Sequence, residues 1–338
     1  MSLPRDTLNR PLHDVRVSVT DRCNLRCRYC MPAEVFGPDY SFLPDGDMLD
    51  FEEITRLCRL FAQSGVEKIR LTGGEPLLRP RLPELVTMLA EIGGVEDLTL
   101  TTNGLRLSDY ANALRESGLQ RVTISLNTLS KDIAKRLNGR GDSVERTLAG
   151  IAAAQDAGLG IKVNTVIRRG LNEREILPLA QRFRGTGITL RFIEFMDVGN
   201  HNDWDKQNVI GSDEILEILE TECSLEAVAP AYIGEVAKRY RYTDGSGEIG
   251  LVTSITQPFC VDCSRARLTA DGKLVTCLFA KEGHELRPLL RNGVDDDALL
   301  AHIRAIWGDR MDRYSEQRHN GLADSNPETK VEMSYVGG

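Results

Sequence analysis

The chain has 338 residues, with 42 Lys and Arg against 50 Asp and Glu, and so a formal net charge of −8. At 41% hydrophobic and 27% charged residues it has the composition of a globular protein of one large or two ordinary domains, which excludes extended disorder and collagen-like structure. The acidic balance argues against a nucleic-acid partner, whose phosphates need a basic surface, and leaves 8 Cys as the count to explain.

Residues 1–14 have no apolar core of signal-peptide length, and no apolar run reaches the roughly 18 residues of a membrane span. The expectation is a cytoplasmic protein with no membrane partner, in a reducing compartment where stable disulfides are uncommon. Strand-like stretches at 15–20, 67–72, 96–101, 121–126, 160–167 and 189–195 alternate with amphipathic stretches near 52–64, 80–92, 108–117, 143–157, 173–184 and 212–222. Repeated strand–helix units predict a parallel sheet with helices outside. The fold class is α/β, an incomplete (β/α)6 TIM-like barrel, two units short of the eight-fold form. Past residue 222 the texture changes to short strands with Gly turns, including a hairpin signal at Asp271–Gly272, and then a helix near 295–308. This predicts a C-terminal antiparallel β-rich extension and a division into 1–222 and 223–338. The tail ends in Gly337–Gly338, which residue physics alone reads as a frayed terminus.

The strands carry a second pattern. Side chains alternate across a strand, and one parity collects Arg16, Ser18 and Thr20; Lys68, Arg70 and Thr72; Thr99 and Thr101; Thr123 and Ser125; Lys162 and Asn164. The opposite parity is Val, Ile and Leu. Arg191 keeps the polar parity of the sixth strand, while Glu194 and Met196 fall on the other. An open sheet with one solvated face is the plain alternative. The helices, however, have apolar faces for one side only, so the pattern favours a barrel with a wet, basic lumen suited to an anionic ligand.

The cysteines divide by spacing. Cys58 and Cys223 stand alone in helix-like segments and read as packing. Cys23, Cys27 and Cys30 follow the first strand at its C-terminal end, where α/β barrels place chemistry. Cys260, Cys263 and Cys277 lie in the C-terminal region, with His284 the nearest further ligand. Bare cysteine triplets fit a zinc site completed by a distant fourth ligand. Three thiolates without a nearby His also fit a [4Fe–4S] cubane with one open iron. Spacing alone leaves both open.

The C-x3-C-x2-C run with Tyr29 before its last Cys, followed one strand later by Gly73–Gly74–Glu75–Pro76, resembles the radical S-adenosylmethionine enzymes. The resemblance implies a first [4Fe–4S] cluster on Cys23, Cys27 and Cys30. It also implies S-adenosylmethionine contacts at Tyr29, Gly74, Ser125 and Met196, with Thr101, Thr102, Asn103 and Asn127 at neighbouring strand ends. On their own these are turn, cap and core residues. The second triplet, with Ser264–Arg265–Ala266–Arg267 between its members, and the terminal Met333–Ser334–Tyr335–Val336–Gly337–Gly338 are similar to the GTP 3′,8-cyclase family of molybdenum cofactor biosynthesis. This likeness runs from about residue 10 to the end.

It implies a lyase with a second [4Fe–4S] cluster on Cys260, Cys263 and Cys277, whose open iron binds guanine. A deoxyadenosyl radical would take hydrogen from ribose C3′, and C3′ would then attack guanine C8, giving (8S)-3′,8-cyclo-7,8-dihydroguanosine 5′-triphosphate. GTP contacts are implied at Arg16, Lys68, Arg70, Thr101, Lys162, Arg191, Arg265, Ala266 and Arg267. Catalytic roles are implied for Arg16, Arg265, Arg267 and the inserted Gly337–Gly338. The implied partners are an external electron donor, the downstream cyclic pyranopterin monophosphate synthase and a second copy in a homodimer. No Walker-type phosphate loop is present. A peptide-modifying radical enzyme and a zinc-stabilised binding protein are the alternatives; a peptide does not call for a basic lumen.

Overall fold

A computed structural model describes residues 3–232, 234–322 and 330–337. The six expected strands are present: β1 (Asp14–Ser18), β2 (Lys68–Thr72), β3 (Asp97–Thr102), β4 (Arg121–Ser125), β5 (Gly160–Ile167) and β6 (Thr189–Glu194). Six more follow: β7 (Leu225–Val228), β8 (Lys238–Tyr242), β9 (Glu248–Val252), β10 (Arg265–Leu268), β11 (Lys273–Val275) and β12 (His284–Glu285). The helices are α1 (Phe51–Gln63), α2 (Leu82–Ala90), α3 (Leu107–Glu116), α4 (Lys131–Asn138), α5 (Ser143–Asp156), α6 (Ile176–Phe183), α7 (Ser212–Glu220), α8 (Arg287–Arg291), α9 (Asp296–Gly308), α10 (Tyr314–His319) and α11 (Met333–Val336). None of the described helices is long and apolar enough to cross a membrane.

All twelve strands form one sheet, in the order β12-β11-β10-β1-β2-β3-β4-β5-β6-β9-β8-β7. The C-terminal strands are antiparallel among themselves, as expected, but they join the barrel through parallel pairings. β10 lies parallel to β1 and β9 parallel to β6. The two units missing from an eight-fold barrel are thus replaced by one parallel strand at each edge, both drawn from the far end of the chain.

The alternation predicted from the sequence sets the layers. Val15, Val17, Ile69, Leu71, Leu98, Leu100, Val122 and Ile124 are buried on the helix side, with Leu57, Phe61, Leu85, Leu114 and Ile151 among their partners in a single core. Cys58 is fully buried there, and Cys223 donates its thiol to Leu219 O at 3.1 Å. Both are packing residues, as read. Register places Arg267, Arg16, Arg70, Thr99 and Arg121 in one row across five strands of the opposite face.

Helix ends follow local chemistry. Asp50 and Glu53 form a reciprocal capping box on α1. α4 has no counterpart among the expected elements, although Ser130 caps its start and Gly139, at φ 81, ends it. Its eight residues are too few for a clear apolar period. The stretch expected as one helix from 173 begins instead with a 3-10 turn, Glu173–Glu175.

Candidate active site

The first cysteine loop leaves β1 and is stitched to the turn after β2. Gly74 N–H donates to Thr20 O and Glu75 N–H to Arg22 O, both at 2.8 Å. A Cβ on Gly73 or Gly74 would lie 2.3 Å from the Thr20 or Arg22 carbonyl oxygen, so only glycine lets the two backbones meet. The Glu75 carboxylate is buried and accepts from Leu77 N–H at 3.1 Å, Thr102 Oγ1 at 2.6 Å and Asn103 N–H at 2.8 Å. It ties the ends of β2 and β3 together, and burial pushes it up to about 7 against those donors. Arg26 and Arg28 N–H donate to Asn138 O and Leu137 O, so the loop rests on the C-terminal end of α4. Asn127 Nδ2 donates to Tyr29 Oη at 2.9 Å. Cys23, Cys27, Cys30, Gly73, Gly74, Thr101, Thr102, Asn103, Ser125 and Asn127 line one cavity.

The second triplet faces the other end of the same lumen. Cys260 and Cys263 precede β10, and Cys277 follows β11. All three line a cavity with Arg16, Arg70, Arg191, Arg265, Arg267 and Met196. Residues from β10 and from β6 and β9, near opposite ends of the strand order, meet in that wall, so the sheet curls around it. His284 is exposed on β12, opposite Leu274, away from the cavity. Met196 lines this second cavity rather than the first. Met333 of α11 lines both.

The tail is packed rather than frayed: Ser334 and Val336 are buried. Arg267 Nη1 donates to Gly337 O at 3.0 Å. Gly337 has φ +72, and a Cβ there would meet Thr72 Cγ2 at 2.1 Å. Gly338 lies outside the described residues.

The charge pattern of the lumen is unbalanced. Arg16 Nε, Arg70 Nε, Arg191 Nε and Arg121 Nη1 are buried without a hydrogen-bond partner. Burial, with Arg267 and Arg70 adding, pulls Arg16 well below its ordinary value. Burial and Arg191 bring Lys162 down to about 7. Burial also brings Arg191 and Arg267 to about 10. Such a crowd of guanidiniums is costly without counter-charge, and it is the cradle an anion with several charges fits. Two basic residues are already paired: Lys68 with Asp97 at 3.0 Å, and Arg121 with the same carboxylate. Arg70 Nη1 donates to Thr101 Oγ1 at 3.3 Å. Ala266 is fully buried on the core side, so only its backbone belongs to the lumen face.

The two sets of thiols differ. Burial raises Cys23 to about 12 and Cys27 to about 11, and it holds Cys30 well above its ordinary value with Cys27 and Cys23 adding. Burial also raises Cys277 to about 12. Burial pushes Cys263 up too, but the adjacent Arg265 and Arg310 outweigh it and bring the thiol down to about 6. Both guanidiniums donate to its sulfur, at 3.2 and 3.3 Å. Among the described residues no three His, Cys, Asp or Glu side chains converge on one ion. A cubane does not impose that condition, since it takes one thiolate at each of three irons.

Sequence reasoning singled out neither Arg121 nor Arg310. Arg121 shares the polar parity of β4 with Thr123 and Ser125, so the signal was present. Arg310 belongs to no motif, and only the fold brings it to Cys263.

Known proteins agree with this layout. The Radical SAM superfamily matches residues 17–183 and the Molybdenum Cofactor Synthesis C family residues 188–316. The GTP 3′,8-cyclase of Acidothermus cellulolyticus is 50% identical, with 99% of each chain covered. That of Staphylococcus epidermidis is 46% identical over 99% of this chain and 98% of its own. The crystal structure of Streptococcus suis SuiB bound to S-adenosylmethionine matches with a TM-score of 0.61 at 16% identity, over 97% of this chain and 78% of that one, a likeness of fold. A full-length match at this identity, on a radical SAM barrel with a second cysteine loop across its lumen, makes this chain a member of the GTP 3′,8-cyclase family.

Proposed function

We propose that this chain is a cytoplasmic lyase that converts GTP to (8S)-3′,8-cyclo-7,8-dihydroguanosine 5′-triphosphate, the first step of molybdenum cofactor biosynthesis. One observation carries the reading: a lumen crowded with guanidiniums, several with a buried nitrogen that has no partner, runs between two cysteine triplets. Cys23, Cys27 and Cys30 would hold one [4Fe–4S] cluster, and Cys260, Cys263 and Cys277 a second. When bound, the first cluster with S-adenosylmethionine supplies a one-electron cleavage that yields the hydrogen-abstracting deoxyadenosyl radical. The rest falls to the chain's own residues.

Gly74, Tyr29 and Ser125, which line the first cavity, would contact S-adenosylmethionine, with Met196 meeting it from the wall of the second. Arg16, Lys68, Arg70, Thr101, Lys162, Arg191, Arg265, Arg267 and the Ala266 backbone would orient GTP. Their charge answers the triphosphate in a partly desolvated space, where charge-assisted bonds are strongest. Gly337, with Gly338 beyond it, would fix Arg267 beside the reacting nucleotide, with Arg16 and Arg265 alongside. The ribose loses one hydrogen atom, and the cyclised species gains one electron and one proton, so the product is isomeric with GTP. An external electron donor, a downstream cyclic pyranopterin monophosphate synthase and a homodimer complete the proposal. Within each chain we assign 1–222 to the radical barrel and 223–338 to the second cluster, GTP and the tail.

The test is anaerobic incubation of the reconstituted protein with GTP, S-adenosylmethionine and dithionite. We expect an isomer of GTP, separated by chromatography and identified by fragment masses, in step with 5′-deoxyadenosine. Deoxyadenosine with unchanged GTP would overturn the assignment of substrate.

A further inference from the structure

The second cysteine loop is enclosed by residues that neither the motifs nor the proposed chemistry uses. Asp6, Arg10 and Arg310 have side chains 0%, 2% and 1% exposed. Asp6 Oδ2 accepts from Arg10 Nε at 2.5 Å and from Arg310 Nη1 at 3.3 Å. Arg10 Nη1 reaches Cys260 O at 2.7 Å and Asp312 O at 2.9 Å. Arg310 Nη1 donates to Cys263 O at 2.7 Å, its Nη2 to Cys263 Sγ at 3.3 Å and its Nε to Asp312 Oδ2 at 3.2 Å. The Arg310 guanidinium lies over Trp307, 4.6 Å from the ring centroid, and Trp307 Nε1 donates to Arg10 O at 3.0 Å. Every nitrogen of Arg310 is therefore committed, and one face of its plane rests on Trp307.

In this network Arg10 Nη2 alone is left without a partner; breaking one partner of a buried charge network is expensive, so the paired groups hold their geometry. The network's outlet is a single sulfur. Cys263 receives two guanidinium donors, one from Arg265 and one from Arg310. Arg265 shares the lumen face with the expected substrate contacts. Arg310 is fixed from behind by the N-terminal arm.

We propose that Arg310 is a positioning residue for the second metal site, placed by Asp6, which holds the Cys263 thiolate in orientation and sets the reduction potential of the group bound there. This rests on the reading of the second triplet as the ligands of a [4Fe–4S] cluster. Hydrogen bonds to cluster sulfur and positive charge beside it stabilise the reduced form. Removing the Arg310 donor therefore makes that cluster harder to reduce and leaves the first, at the other end of the lumen, as it was.

The experiment uses the full chain, anaerobically reconstituted, as wild type and as Arg310→Gln, Arg310→Lys and Asp6→Asn. Iron and sulfide are counted per chain, and both clusters are titrated by potentiometric electron paramagnetic resonance. The second midpoint is expected to move negative in the Arg310 variants, most in Arg310→Gln. Arg310→Lys keeps the charge without the fork and moves it less, whereas Asp6→Asn removes a negative charge from the same network and moves it positive. The first midpoint stays in place. If Arg310→Gln fails to load the second cluster, the shift in Arg310→Lys and Asp6→Asn decides. An unmoved second midpoint in the loaded variants, or equal shifts in both clusters, overturns the proposal. Wild-type protein with iron for one cluster only and zinc on the second triplet would instead refute the underlying assignment, before any variant is compared.

Discussion

The two cysteine loops sit at opposite ends of one lumen and are built on opposite principles. The first is tied to the strand ends by Glu75, Thr102, Asn103 and Asn127, and its Arg26 guanidinium donates to backbone oxygens of Cys23, Leu25 and Phe36 rather than to a sulfur. Its thiols are raised by burial with little to offset it, so metal must displace protons there. The second is held by guanidiniums, and Cys263 is brought to about 6 by Arg265 and Arg310 against its burial. The first loop thus suits a site whose charge comes from its cofactor. The second suits a site sharing its cations with an anionic substrate.

The largest effect comes from removing a ligand. Cys27→Ala should abolish reductive cleavage of S-adenosylmethionine by dithionite-reduced protein; surviving cleavage would show that this triplet does not hold the active cluster. Next come the cations. Arg265→Ala or Arg267→Ala should lower GTP turnover by roughly 30-fold or more, since truncating a buried charge pair costs about 2–5 kcal/mol. Deoxyadenosine release should fall less. Equal GTP turnover in both variants would remove them from the substrate side of the comparison.

Gly337→Ala forces a side chain into a left-handed backbone against Thr72. Strain of about 1–3 kcal/mol is expected, with a roughly tenfold loss of cyclised product and little change in the folding transition. Unchanged product formation would mean that the Gly337 carbonyl on Arg267 has no part in turnover.

The smallest effect is a pH profile. Lys162 sits at about 7 in the free protein, lowered from 10.5 by burial and by Arg191. A bound triphosphate favours the charged form and raises it again, so binding takes up a proton once the pH exceeds about 7. GTP affinity should then weaken by up to about tenfold per pH unit above that point, as expected for one proton. Lys162→Met should be weaker throughout and flatter. The same steep slope in that variant would assign the titration elsewhere.

Much of this was legible in the sequence. The period-two alternation of the first five strands correctly placed Arg16, Arg70 and Lys162 on one face, because a buried helix-side face leaves no freedom of register. The same rule aligned Arg265 and Arg267, yet it could not say that β10 lies against β1. Parallel pairing between the two ends of the chain leaves no local periodicity, so the edge strands that complete the barrel were read only as an extension. α4 escaped because eight residues hold barely two turns. The tail looked frayed because burial by long-range contact has no signature in six residues. Arg310 and Asp6 are 304 residues apart, and only folding makes them neighbours.

The most direct measurement is the metal content of anaerobically purified, reconstituted protein, wild type beside Cys27→Ala and Cys263→Ala. The account predicts about eight iron and eight sulfide per chain in wild type, as two cubanes require. It predicts about half in each variant, with different spectra because a different cluster survives. A colourless wild-type protein with zinc in place of iron on either triplet would contradict it.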